Sequence, residues 1–177
     1  MTRDDVLRVV REARERGEQP DLSYENLRGL NLRGLDLIGA DLRYANLDCA
    51  SLGRANLRGA NLYGANLVRA NLYDANLYGT RWDGLVIDGL YPYRVLLAPT
   101  RDGWHLTIGC WSGTPDELRT LTAQDDGWPE AEGDEITHRR PLLEAALNVV
   151  DAHIAGRSHV INDLKERWAY CPAPWMT

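Results

Sequence analysis

The chain has 177 residues, 44% of them hydrophobic and 26% charged, with a formal net charge of −6. That balance excludes a disordered polymer and a polybasic nucleic-acid binder, and without a run of about eighteen apolar residues there is no transmembrane helix to expect. Charges alternate from Arg3 to Glu18, unlike a signal peptide, and Cys49, Cys110 and Cys171 lack metal or redox spacing, so a cytoplasmic protein with reduced thiols is expected.

Residues 1–18 predict one helix over Thr2 to Arg16. Thr2 serves as N-cap, Asp4 and Asp5 sit in the first turn, and Gly17 stops it. Val6, Val9, Val10 and Ala13 give it an apolar stripe. Acids interleave with its arginines, which reads as a solvated outer face.

Residues 19–90 carry an internal repeat. A leucine returns every five residues from Leu22 through Leu77, and Trp82 and Ile87 continue the position with other apolar residues. Alanine precedes it by two from Ala40 to Ala75, with Asn or Asp between them at nearly every turn. Five steps of about 100° scatter the leucines around a helix, and an odd period sends alternate leucines to opposite faces of a straight strand. The chain must therefore turn once per unit. Short bent strands with corners bring Ala and Leu, two apart, to the inside, and Asn or Asp bonds the turn backbone.

These residues resemble the pentapeptide-repeat family, with its A-(D/N)-L-x-x pattern. The resemblance implies a short right-handed quadrilateral β-helix, here of about 3.5 coils. An open end exposes strand edges, so the N-terminal helix is the expected cap at one end and the following domain at the other. Residues twenty apart stack, placing Arg43 under Tyr63 and Arg58 under Tyr78.

The rhythm stops after Leu90, and residues 91–177 read as an α+β domain, a β-hairpin followed by three helices. Arg94 to Ala98 and Trp104 to Trp111 are strand-like, joined around Asp102-Gly103. On a regular second strand, Trp104, Leu106, Ile108 and Cys110 share one face, with His105, Thr107 and Trp111 on the other, so His105 and Cys110 form no dyad. Thr114-Pro115-Asp116-Glu117 starts a short helix. An acidic stretch from Asp125 to Glu135 reads as a solvated linker. A longer helix runs from Pro141 to Ala155, and a last one from about Ser158 to Trp168. The segments 108–114 and 128–131 look like the C-terminal domain of some phage and actinobacterial pentapeptide-repeat proteins.

Catalysis finds little support. The four histidines are scattered, with no H-x-x-x-H pair, phosphate loop or nucleophile elbow, so no catalytic residue, cofactor or metal is expected. The expected role is a non-enzymatic protein-interaction module of phage or bacterial origin, a rigid scaffold with an association domain. Candidate interaction residues are Leu143, Leu147, Val150 and Ile154, the apolar face of the long helix, and Arg139 and Arg140 at its entry. That face predicts a two-fold homodimer. The resemblance also brings an alternative, a DNA mimic that inhibits an enzyme such as gyrase. Eight acids against seven arginines between residues 21 and 90 leave that segment nearly neutral, which argues against it. A protein partner is expected; neither nucleic acid nor membrane is.

Overall fold

The computed structural model describes residues 1–90, 93–100, 102–109, 111–125 and 134–170. The chain divides into two compact units. The first comprises Met1–Asp83 together with the segment from Leu164 onward, and the second is Gly84–Asp163.

The first unit begins with α1 (Arg3–Glu15). Thr2 Oγ1 accepts the Asp5 N–H at 3.2 Å while the Asp5 carboxylate accepts the Thr2 N–H at 2.9 Å, a reciprocal cap on two orphan donors. Gly17, at φ +70°, ends the helix as the sequence predicts. Val6 and Ala13 are its buried positions; Val9 and Val10 are half-buried.

A β-helix follows. Parallel bridges join residues twenty apart, from Asp21↔Asp41 to Asn61↔Arg81, and recur every five residues, so each coil has four sides. Leu22 through Leu67 have no exposed surface, and Ala40 through Ala75 line the interior beside them. The corner solves the problem of the five-residue period. Every unit places its fifth residue, two after the leucine, in the left-handed region, glycine at six corners and Tyr24, Tyr44, Cys49, Arg54, Arg69 and Asp74 at the others. The leucine carbonyl then accepts the N–H three residues on, as in Ala40 to Leu37 at 3.0 Å and Ala50 to Leu47 at 2.9 Å. The Asn or Asp side chain accepts the N–H two residues on, from Asp21 with Ser23 at 3.0 Å to Asn76 with Tyr78 at 3.1 Å. The repeated Asn/Asp is thus the residue that holds the bend.

Between interior coils, carbonyls accept from the coil before, as Ser51 does from Leu32 and Arg58 does from Gly39. The equivalent carbonyls of the first coil, Asn31 and Ile38, have no earlier coil. Arg3 donates to the Asn31 carbonyl, and Arg14 to that of Ile38 at 2.6 Å.

The column is shorter than the rhythm suggests. Its last bridge reaches Arg81, and Leu85–Leu90 forms β1, an antiparallel strand of the second unit. Leu85 and Ile87 continue the Ala-x-Leu spacing only because two apart is also the spacing of one strand face.

In the second unit β1, β2 (Tyr93–Thr100), β3 (Gly103–Ile108) and β4 (Trp111–Gly113) form an antiparallel meander, so the expected hairpin is the centre of a four-stranded sheet. The β2–β3 turn closes at Thr100↔Gly103, with Thr100 Oγ1 donating to the Gly103 carbonyl at 2.8 Å. α2 (Pro115–Thr122) carries a second cap, Thr114 with Glu117, and packs on β3 and α3. α3 (Asp134–Ala155) packs on β1, and α4 (Val160–Tyr170) follows it in the chain, its residues up to Asp163 in this unit and those from Leu164 in the first. α3 starts a full two turns before the predicted Pro141, because the proline sits inside it on an exposed side. Val95, Leu97, Leu106, Ile108, Leu118, Ala146, Leu147 and Val150 are the core between sheet and helices.

Trp111 corrects the strand reading. It packs against that core with Trp104 rather than opposite to it, because the chain reverses at Gly109, φ +57°, and the alternation restarts in β4. Cys110, the acidic residues 126–133 and the tail from Cys171 lie outside the described residues.

Candidate interaction surfaces

With leucine and alanine committed inward, each unit shows solvent only its corner pair and its Asn or Asp. Stacking turns these into ladders. On one side Tyr24 lies over Tyr44, ring centroids 5.1 Å apart and 22° between planes, and Tyr44 meets Tyr63 edge-on at 5.8 Å. Tyr44 in turn lies across Gly64, where a Cβ would stand 2.5 Å from the ring. On the next side Asp48, almost fully buried, accepts from Arg69 at 2.9 Å and pairs with Arg28 at 3.1 Å. Asn66 donates to Asn46 at 3.3 Å beside it. On the last side Arg58 stands 5.9 Å from the centroid of Tyr78, as the twenty-residue stacking predicts.

The companion expectation fails. Arg43 turns to Asp41 two residues away, in a forked contact at 2.5 to 2.9 Å, because a carboxylate offers it a charge-assisted bond that the Tyr63 ring does not. The Arg43 guanidinium holds the Asp41 carboxyl below its ordinary range. Tyr73 and Tyr78, 54% and 75% exposed, are the most open large hydrophobic side chains of the column.

The predicted interaction face of the long helix is not a free surface. Leu147 and Val150 belong to the core of the second unit, and Leu143 and Ile154 pack against it. The stripe is apolar because it covers the sheet, which its width alone could not distinguish from a dimer face. Arg139 pairs with Glu135 at 3.5 Å, and Arg140 donates to Asp125 at 2.7 Å and to the Gln124 carbonyl at 2.6 Å. These arginines tie α3 to itself and to the end of α2, so neither is an open anion clamp.

One polar pair has no forecast in the sequence. His105 Nε2 lies 2.5 Å from Ser112 Oγ, joining β3 to β4. Finding it requires knowing that the chain turns at Gly109. Among the described residues no group of three or more His, Cys, Asp or Glu could hold a metal ion, and no helix is long and apolar enough to cross a membrane.

A leucine-filled column with asparagine-braced corners makes this segment a β-helix. Residues 21–59 and 50–81 match the family model for pentapeptide repeats, in eight copies, so this segment is similar to pentapeptide-repeat proteins. That match ends at residue 81. No curated protein matches the chain. Among solved structures, a pentapeptide repeat protein from the cyanobacterium Cyanothece is 42% identical over 36% of this chain and 44% of its own, with a TM-score of 0.35. One from the Arabidopsis thaliana thylakoid lumen is 40% identical over 35% and 43%, TM-score 0.35. One from Nostoc is 33% identical over 45% and 74%, TM-score 0.32. The chain spans less than half the length of the first two.

Proposed function

We propose that this protein is a non-enzymatic protein-interaction module, in which the β-helix is a rigid scaffold and the residues after it form an association domain. The observation that carries the reading is the division of labour in the repeat. Backbone bonds and leucines are used up inside, and in the central units, Ala40 to Ala75, variation lies in the outward ladders. Such a surface is stiff, so ordering it on binding costs little.

The span from residue 21 to residue 81 at twenty residues per coil makes about three coils, in the right-handed sense of the family. α1 closes the first of them, supported by Arg3 and Arg14 on the open-edge carbonyls. A protein partner docks on the exposed Tyr73, Tyr78 and Arg58, residues of the kind that dominate binding hot spots. Affinity capture from the native host, with wild type and Tyr73→Ala/Tyr78→Ala in parallel, tests it. A partner held by wild type and lost by the double variant is the expected result; a partner retained by both moves the surface elsewhere. The nearly neutral column gives no support to DNA mimicry, and stoichiometric inhibition of gyrase supercoiling would reverse that judgement.

A further inference from the structure

The sides of the column differ in what their arginines face. On the two sides formed by residues 21–29, 41–49 and 61–69, every arginine is held by a carboxylate, Arg43 by Asp41 and both Arg28 and Arg69 by Asp48. On the other two sides, formed by residues 31–39, 51–59 and 71–79, three arginines stand against two acids. Both acids are engaged, Asp74 with Arg54 at 3.6 Å and Asp36 with the Ile38 N–H at 3.2 Å. Among the described residues Arg33 and Arg58 have no carboxylate, and both are exposed. Each belongs to a stack that ends in an exposed tyrosine. Arg58 stands under Tyr78, and Arg33 runs past Gly53 in the stack of Tyr73, its Nη1 4.0 Å from where a Gly53 Cβ would be.

We propose that these two sides bind an extended acidic peptide segment of a partner protein, with Arg33 and Arg58 taking its carboxylates and Tyr73 and Tyr78 contacting the residues beside them. With no side chain at Gly53, Arg33 lies along the column and its guanidinium reaches the coil that carries Arg58. The two guanidiniums are then about one side apart, roughly 10 Å for three extended residues. Carboxylates two or four residues apart on an extended chain are separated by about 7 or 13 Å, which the flexible arginine arms span. A guanidinium offers paired donors to a carboxylate, and neither arginine has to release an acid first, as Arg43 would have to release Asp41. Nucleic acid fits this surface less well. Duplex DNA carries a charge every ~1.7 Å, and three arginines against two acids neutralise too few phosphates. The inference rests on the docking surface proposed above and names what its partner presents.

Fluorescence anisotropy tests the proposal, with the full chain titrated into a labelled peptide of alternating glutamate and glycine and into its glutamine counterpart. The wild type is expected to bind the glutamate peptide alone at about 50 mM salt, and more weakly at about 500 mM. Arg33→Gln/Arg58→Gln, at exposed positions, is expected to keep the wild-type melting temperature and lower the affinity at least about tenfold. Arg28→Gln/Arg43→Gln removes the same charge from the other sides and is expected to change it less than about twofold. A wild type that binds neither peptide or both alike, equal losses in the two double variants, or tighter binding of single-stranded DNA of the same charge would overturn the proposal. Capture of a host partner that needs Tyr73 and Tyr78 but survives Arg33→Gln/Arg58→Gln would overturn the acidic ligand alone and leave the docking surface in place.

Discussion

The β-helix and the α+β unit both bury leucines, but they specify their interiors in different ways. In the column one residue type occupies one position in every unit, and its neighbours twenty residues away are the same residue in the same place. In the α+β unit, Val95, Leu106, Leu118 and Val150 meet from two strands and two helices, and no position repeats. A repeat therefore assigns an environment to each residue by its register. A mixed core assigns it only through the pairings that the fold happens to make.

The largest effect expected from breaking this contrast is a charge in the middle of the column. Leu57 has leucines at 37 and 77 in its own stack and no exposed surface. Leu57→Asp buries a carboxylate with no partner, which costs several kcal/mol and cannot be relieved by collapse against identical neighbours. Loss of the cooperative thermal transition, followed by circular dichroism, is expected. A variant melting at the wild-type temperature would show that the leucine register does not face inward.

In the α+β unit the corresponding change is Leu147→Ala. Removing a buried leucine from a mixed core is expected to cost about 2–5 kcal/mol in urea unfolding. Val149→Ala, two residues on but half exposed, should cost less than about 0.5 kcal/mol. Equal costs for the two would mean that α3 does not pack on the sheet through its 143, 147, 150 and 154 face.

A third change separates the corners from the core. Gly64→Ala places a methyl group 2.5 Å from the Tyr44 ring at φ +68°, so steric overlap and left-handed strain act together. About 1–3 kcal/mol is expected, with the tyrosine ladder displaced. Gly59→Ala, at φ +67° with open space around it, carries only the strain and should cost about 1–2 kcal/mol. Identical losses would show that Tyr44 does not rest on Gly64.

How far the sequence could be read follows the same division. The twelve-leucine register, the small inner alanines and the turn role of Asn and Asp were all legible, because five-residue spacing admits one geometry. Where it ends was not. Leu85 and Ile87 satisfy both the repeat and an antiparallel strand, and the missing asparagine at Arg81 is a weaker signal than the surviving leucine spacing. In the second unit Pro141 looked like a helix start because proline fits a first turn, yet two upstream turns and an exposed ring position accommodate it inside the helix. The Leu143 to Ile154 stripe was visible, but a stripe does not say what covers it. The His105–Ser112 pair depends on a reversal at Gly109 that no residue pattern announced.

The smallest expected effect compares the helix caps, one in each unit. Asp5 and Glu117 are N-cap partners of Thr2 and Thr114, and the backbone N–H of each threonine is the largest cause holding each carboxyl below its ordinary range. A folded-state value below the unfolded one stabilises the protein above the ordinary carboxylate range, and the benefit is lost as pH falls through the lowered folded value. Glu117 is exposed and Asp5 half-exposed, so salt and water weaken the effect. Asp5→Asn and Glu117→Gln should each lower the melting temperature by a few degrees at most near pH 7, and the gap to wild type should close as the pH is brought below the ordinary carboxylate range. Thr114→Ala removes the acceptor side of the second cap at every pH and is expected to cost about 1 kcal/mol, so its deficit should persist in acid where that of Glu117→Gln does not. A Glu117→Gln deficit that stays constant from pH 7 to pH 3 would mean that the carboxylate charge contributes nothing to the cap, and that the hydrogen bond alone, which glutamine can also make, is what starts α2.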